Sequence, residues 1–360
     1  MRRGSAALVG GRGREPHCVP HPPRRARAAP GECRGRPASR VGGGPRVSGY
    51  LARRFGFLLI TLVLTSATIF AVTQLLPGDV ARIVLGREAS ATALEALRRD
   101  LGLDRPPVVQ YLSWLGGFVT GDWGTSFASG QPIRPLVMER VGNSLMLAFL
   151  TLAIAVPSAI VLGVVAALHA GKPIDTVISV GALAVVGLPE FVTGLVLIQL
   201  LAFELAWLPA SSSIRPEAGF LEALPMLVLP ALTATLVLLA YIARLTRASV
   251  LAELRKPYVR TARLKGIAGR RVTYVHVLGN ALLPTVTVVA ISFGWLISGL
   301  IVVENVFNYP GLGALLTFAI DRRDVPLMQA ITMIAVVAFA LANLVADLLY
   351  AYLDPRIRFG

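Results

Sequence analysis

The stretch FGFLLITLVLTSATIFAVTQLL, Phe55–Leu76, is long and apolar enough to decide the class of fold. A bilayer core of about 30 Å is crossed by about 20 residues of α-helix, so this stretch can span a membrane. Five similar stretches follow it, which are Leu145–Ala167, Val177–Phe203, Ala223–Ile242, Thr285–Val303 and Ala330–Tyr350. Backbone amides inside lipid must pair within their own segment, and the alternating pattern of a transmembrane barrel is absent from the sequence. We therefore predict an all-α membrane protein with six transmembrane helices.

The composition agrees with a membrane protein. The chain of 360 residues is 55% hydrophobic and 15% charged, whereas soluble domains carry about 25% charged residues. Its formal charge of +15 could indicate a nucleic-acid partner, but residues 1–48 contain eleven arginines against two acidic residues. Most of the excess charge therefore lies in one terminal segment, and we predict no nucleic-acid partner for the rest of the chain.

The segment 1–48 is rich in Gly, Pro and Arg and has too few large apolar residues to form a core. It lacks the apolar run of a signal peptide. Three interpretations remain open: the segment lies upstream of a true start near Val47, it is disordered, or it is an RNA- or lipid-binding arm. Cys18 and Cys33 fall in this segment near His17 and His21, but they do not form the two close ligand pairs of a zinc site. We predict no metal site, and no disulfide is implied.

The distribution of Lys and Arg predicts the orientation in the membrane. With the amino end inside, the cytoplasmic segments contain fourteen basic residues and the two short external loops contain three, which follows the positive-inside rule. Both termini are then cytoplasmic. The predicted division is 1–48, a first transmembrane helix at 49–76, an extracytoplasmic region at 77–143, a core with five transmembrane helices at 144–352, and a cytoplasmic tail at 353–360. Within 77–143, Ser90 is a candidate N-cap and 107–118 a second helix.

Motifs of catalysis are missing from the sequence. It contains no phosphate-binding G-x-x-x-x-G-K-[ST], no H-E-x-x-H and no nucleophile elbow. His169 and His276 are the two histidines outside the terminal segment. We predict that the chain is not an enzyme and holds no cofactor, so any uphill transport must draw its energy from another protein.

The segment YVRTARLKGIAGRRVTYVHVLGNALLP, Tyr258–Pro284, contains five basic residues and no acid between two apolar stretches. Pro257 is suited to a first helical position, and Gly266 to the left-handed conformation that ends a helix. The pattern predicts a helix over 258–264 and a second one from about Arg270. A two-turn helix is marginal in water and must dock onto something. A lipid surface and a cytoplasmic protein are the two partners left open; nucleic acid is disfavoured because stacking aromatics are nearly absent.

This segment resembles the "EAA" loop of importer permeases in the ATP-binding-cassette (ABC) superfamily, with Ala262 followed by Gly266. More narrowly, the chain is similar to the dipeptide, oligopeptide and nickel subgroup. The motifs that carry the resemblance are LPGD (76–79), GLDRP and QYLSW (102–114), GDWGTSF (121–127), YVRTARLKG with HVLGNALLP (258–284), NYPGLGALL (308–316), RDVPLMQA (323–330) and DLLYAYLDPRIR (347–358). LPGD with a long first external loop resembles the first of two paired permeases. Gly279 and Glu190 depart from the pattern of the subgroup.

The resemblance implies that a cytoplasmic ATPase binds the basic loop 244–284. Within this loop, the part implied to contact the ATPase is 257–284. The implied coupling residues are Tyr258, Val259, Arg260, Thr261, Ala262, Arg263, Lys265 and Gly266. We expect Tyr258, Val259 and Ala262 to anchor that contact and the arginines to orient it. The implied partners are a second permease subunit in a heterodimer, two ABC ATPase subunits, an extracytoplasmic substrate-binding protein and membrane lipid. The implied location is the bacterial inner membrane, and the implied cargo is peptides or related small solutes.

Glu190 follows Pro189 in the middle of the third predicted span. Pro189 should break the helix there, as at many transporter sites. A carboxylate at this depth either faces the translocation path or has a structural role at a helix end. An ion-coupled carrier would require more intramembrane charges, and an intramembrane hydrolase would require Ser/His or Asp/Asp pairs within spans. The sequence shows neither pattern.

Overall fold

The computed structural model describes residues 47–75, 90–100, 102, 104–213 and 220–353. The predictions made for residues 1–46, for the LPGD motif and for residues 354–360 lie outside these ranges. Helices make up the regular secondary structure of the described ranges, and the one β-type pairing found there is an isolated bridge between Thr125 and Pro132. The prediction of an all-α protein is confirmed.

Thirteen helical elements follow one another in the described residues. They are α1 (Val47–Gln74), α2 (Ala91–Asp100), α3 (Pro107–Thr120), α4 (Ile133–Leu168), α5 (Pro173–Gly187), α6 (Glu190–Leu197, continued by a π-helical turn Ile198–Glu204), α7 (Phe220–Leu254), α8 (Pro257–Leu264), α9 (Gly269–Ala281, π-helical over Val272–Val277), α10 (Leu283–Gly299), α11 (Ile301–Val306), α12 (Leu312–Asp321) and α13 (Val325–Leu353). The two helices expected in the external region are present as α2, where Ser90 caps the amide of Ala93 at 3.3 Å, and α3.

Four of these helices, α1, α4, α7 and α13, are each long and apolar enough to cross a membrane. Two further spans exist if each of two bent helix pairs crosses as one: α5 with α6, bent by 106°, and α9 with α10, bent by 47°. The third predicted span is therefore not a straight helix. Leu188 is extended at ψ 136° and Pro189 at ψ 139°, because a residue before proline avoids the helical region and proline cannot continue the ladder. The predicted break at Pro189 is confirmed.

Helices α4 and α7 form the centre of the core through small side chains. Ala148, Ala155 and Ala159 of α4 are buried in one cluster with Ala231 and Ala234 of α7. Farther along the same pair, a Cβ at Gly163 would lie 2.6 Å from the carbonyl oxygen of Ala243, so the backbones approach as closely as glycine allows. Close approach of this kind stabilises helix pairs in lipid, where no hydrophobic force acts between them. The pair forms a rigid frame that leads to the basic loop.

The predicted external region is fixed to the core by a buried carboxylate. Asp324 accepts hydrogen bonds from the Ser126 hydroxyl at 2.6 Å and the Ala128 amide at 3.0 Å, and it caps α13 through the Leu327 amide at 3.2 Å. Two of the family-like motifs, GDWGTSF and RDVPLMQA, thus meet in the structure. Their spacing in the sequence gives no hint of this contact.

A second buried carboxylate organises the segment after α10. Glu304 accepts from the Ser144 hydroxyl of α4 and the Gly313 amide, each at 2.6 Å, and from the Ala314 amide at 3.2 Å. The last two amides open α12, where backbone donors have no partner within the helix. Glu304 therefore joins α11, α12 and α4.

Candidate functional site

The basic loop folds as its local signals predict. Helix α8 has Pro257 in its first turn and ends at Leu264. The chain then reverses at Gly266, which has φ +77°, with the Ile267 amide bonded to the carbonyl oxygen of Ala262 at 3.3 Å. A Cβ at Gly266 would meet no atom within 4 Å. Glycine is therefore required here for its backbone conformation and not for space.

Val259 lies inside the protein. Its side chain is 1% exposed and packs in a cluster with Val250 of α7 and with Val272 and Val277 of α9. Ala262 is half-buried against the same cluster. The expectation that Val259 anchors an external partner is therefore wrong, because the side chain is used to dock α8 on its own chain. This docking also explains how a two-turn helix persists.

A polar contact also holds the first turn of α8. The Tyr258 hydroxyl lies 2.8 Å from Glu253 Oε1 and 3.2 Å from the carbonyl oxygen of His276, and it can donate to either. Glu253, the buried carboxylate near the end of α7, also receives Lys256 Nζ at 2.6 Å. Burial, and then the hydrogen bond to Glu253, raises the pKa of Tyr258 above its usual value. Tyr258 thus fastens α8 to α7 and α9.

The outward face of α8 carries the remaining residues of the motif. Leu264 is 79% exposed, and Arg260, Thr261, Arg263 and Lys265 around it are also exposed. An apolar side chain framed by cations suits a partner with an apolar socket and an acidic rim. Sequence reasoning missed Leu264 as the outward apolar residue and Glu253 as the internal anchor. The signal for Glu253 was an acid five residues before Tyr258 in an otherwise basic region.

Glu190 and Pro189 lie apart from this site. Pro189 is the residue before α6 and Glu190 its first residue, with a side chain of intermediate exposure. An acidic side chain in a first turn interacts favourably with the helix dipole, so the structure places Glu190 at a helix end. Its role in the translocation path stays a prediction. The described residues show no hydrogen bond or ion pair between Glu190 and the basic loop.

Four to six helices long and apolar enough to cross a membrane, with a docked basic helix between two of them, are the features of a multi-pass integral membrane protein. Residues 47–148 match the family described as "Binding-prot-dependent transport system membrane comp, N-term". Residues 159–359 match "Binding-protein-dependent transport system inner membrane component". The chain belongs to this family, the inner-membrane permeases of ABC importers, and the resemblance seen in the sequence is confirmed.

Sequence similarity to known proteins covers nearly all of the chain that follows the terminal segment. The glutathione transport system permease proteins GsiC of Escherichia coli (strain K12) and Shigella dysenteriae serotype 1 (strain Sd197) are each 37% identical to it over 310 residues, covering 86% of this chain and 99% of theirs. GsiC of Pectobacterium atrosepticum matches to the same extent. A solved amino acid ABC transporter with histidines is a more distant likeness, with a TM-score of 0.45 and 20% identity over 62% of this chain and 94% of that chain.

Membership of the family establishes the coarse function. The chain is a multi-pass inner-membrane component of an ABC importer, a transport permease that works with ATPase subunits and a binding protein. The orientation of the termini, the domain boundaries, the pairing with a second permease and the roles of individual residues stay predictions.

Proposed function

We propose that this chain forms half of the translocation path for small peptides and that cytoplasmic ATPases drive it through the outward face of α8. The observation that carries the proposal is the division of α8 into two faces. Val259 is buried in the permease and the Tyr258 hydroxyl bonds to Glu253, whereas Leu264 and its neighbouring cations are exposed. A helix that is firmly docked on one side and presents an apolar side chain on the other suits the transfer of movement between two proteins.

The contacts of α8 define how such movement would spread. A rigid-body push on α8 acts on α7 through Glu253 and on α9 through Val259, and α9 leads into α10 across a bend of 47°. Small displacements at a packed interface can switch a transporter between two discrete arrangements. Burial of Leu264 in the ATPase would contribute about 2 kcal/mol to the affinity. Exposed cations contribute less and set orientation.

The proposed assembly follows the sequence predictions. A second permease subunit completes a heterodimer, two ATPases bind on the side of α8, and both termini of this chain lie on that cytoplasmic side, consistent with the distribution of Lys and Arg. The chain itself performs no chemistry. A peptide cargo is supported by the relatives named as glutathione permeases, since glutathione is a tripeptide.

Cysteine crosslinking tests the ATPase contact. In a background where Cys18 and Cys33 are serine, Leu264→Cys should crosslink to an ATPase subunit in the assembled importer. Val119→Cys is the matched control, because Val119 is similarly exposed at 77% but ends α3 in the predicted external region. Crosslinking to the ATPase from Leu264→Cys but not from Val119→Cys supports the proposal. Insertion of Leu264 into lipid, detected with a bilayer-confined quencher and without any ATPase crosslink, would refute it.

A further inference from the structure

Asp175 and Arg247 form an ion pair that no catalytic or family motif predicted. Arg247 Nε lies 2.6 Å from Asp175 Oδ1, and Arg247 Nη2 lies 2.7 Å from Oδ2. The same carboxylate accepts from the Gly171 amide at 3.0 Å and the Ser179 hydroxyl at 3.3 Å. The side chain of Asp175 is 7% exposed. One carboxylate thus joins α7, the turn between α4 and α5, and the first two turns of α5.

This pair is a buried polar attachment of α5 to the core at that end. Asp175 and Ala182 are the buried residues of α5, whereas Val177, Val180 and Leu183 are more than half exposed. The frame of α4 and α7, by contrast, is already held by close backbone contact at Gly163. Loss of the pair should therefore free α5 from α7 without separating α4 from α7.

Arg247 lies between α8 and the span that is broken at Pro189, which is made of α5 and α6. It precedes the end of α7 at Leu254 by about two turns, and α8 begins at Pro257. On its other side, α5 runs to the break at Pro189 and continues as α6. Helix α6 is packed in place, since a Cβ at Gly194 would lie 3.3 Å from Phe307 and from Val306. Movement of α5 relative to the core would therefore bend the chain at Pro189.

We propose that Asp175 and Arg247 are the coupling pair that transmits displacement of α8 and α7 to α5, and so changes the angle between α5 and α6. Both are positioning residues. A bidentate arginine–carboxylate pair fixes direction as well as distance, which a mechanical link requires. The inference rests on the proposed action of an ATPase at α8 and adds the route by which that action reaches the broken span.

Distance measurement by pulsed electron spin resonance tests the link in the complete importer in nanodiscs. Spin labels at Val177→Cys and Phe203→Cys, both exposed, report on the angle between α5 and α6. ATP with vanadate should shift the label distance by several ångströms in the parent protein. The shift should be lost in Asp175→Asn and Arg247→Gln, and Arg247→Lys should retain part of it. The double variant Asp175→Asn/Arg247→Gln should be no worse than either single variant, because the two side chains act as one unit.

Two controls keep the test specific. Asp347→Asn removes a more exposed ion pair, in which Arg54 Nη1 lies 2.6 Å from Asp347 Oδ2 and joins α1 to α13. The ATP-driven shift should persist in the Asp347→Asn variant. Arg247→Gln leaves the buried Asp175 carboxylate without its cation, whereas Asp175→Asn leaves Arg247 on a side chain that is 32% exposed, so Asp175→Asn should assemble even if Arg247→Gln does not. A shift that persists in Asp175→Asn or in Arg247→Gln, or is absent from the parent protein, overturns the proposal. If Leu264→Cys still crosslinks to the ATPase in that case, the coupling pair fails while the proposed function stands.

Discussion

The two faces of α8 predict opposite consequences for two apolar substitutions. Val259→Ala removes two methyl groups from a site that is 1% exposed. At about 0.8 kcal/mol per buried carbon the transfer term is about 1.6 kcal/mol. The cavity left in the cluster around Val250 and Val272 brings the loss of α8 docking to about 2–3 kcal/mol.

Hydrogen–deuterium exchange on the permease alone, in nanodiscs, measures this loss. Exchange at the turn after α8, where the Lys265, Gly266 and Ile267 amides are hydrogen-bonded, reports local opening. A loss of 2–3 kcal/mol corresponds to roughly 30- to 140-fold faster exchange, since about 1.4 kcal/mol changes an equilibrium tenfold. Thermal unfolding of the α4–α7 frame should shift much less, because Val259 is not part of the larger alanine-rich cluster that holds Ala155 of α4 against Ala234 of α7.

Leu264→Ala is the matched comparison. Because Leu264 is largely exposed, its truncation should leave exchange in the free permease unchanged and weaken ATPase binding roughly 30-fold, the equivalent of about 2 kcal/mol of lost burial. Binding of purified ATPase to the nanodiscs measures the affinity. The two-face account is refuted if Val259→Ala leaves exchange unchanged, or if Leu264→Ala loosens the free permease while ATPase affinity stays the same.

Three further substitutions test other parts of the account. Gly266→Val forces a β-branched residue to φ +77° at a cost of about 1–3 kcal/mol, and it should uncouple ATP hydrolysis from uptake. Normal uptake by a fully assembled Gly266→Val variant would count against this. The control is Gly279→Ala, at a helical glycine with open space around it. Glu190→Gln should alter uptake kinetics without disturbing assembly on size-exclusion chromatography, and unchanged kinetics would leave Glu190 only its place at the start of α6. Tyr258→Phe should weaken α8 docking by about 1 kcal/mol through the lost bond to Glu253. Because the pKa of Tyr258 is raised in the folded state, its contribution is constant below its unfolded pKa of about 10 and is lost as pH rises through the folded pKa. The protection of the α8 amides, expressed relative to the intrinsic exchange rate at each pH, should fall across that range in the parent protein and stay constant in the Phe variant. A fall of the same size in the Phe variant would exclude Tyr258 as its source.

The features that depend on a short stretch of neighbouring residues could be predicted from the sequence. Apolar run length gave the membrane-crossing helices, and Pro257 and Gly266 gave the start and end of α8 because each restricts its own backbone. Pro189 predicted a break in the third span for the same reason. The size of the bend did not follow, since it depends on how α5 and α6 pack on other helices.

Contacts between distant helices could not be predicted from one sequence. Val259 was expected to face a partner because its neighbours in sequence gave no sign of the cluster it enters, which is built from α4, α7 and α9. Asp175 and Arg247 are 72 residues apart, and neither stands out from the surface charges near it. Local periodicity identifies the faces of a short helix but not which face the rest of the chain covers.

We propose that an ATPase engages the outward face of α8 and no other part of the described chain to the same degree. Exchange mapping of the assembled importer, with and without its ATPase subunits, measures this directly. We expect added protection over 257–267 when the ATPases are present, and little change in α2 and α3 of the predicted external region. Unchanged exchange over 257–267, with protection appearing in another segment, would contradict it.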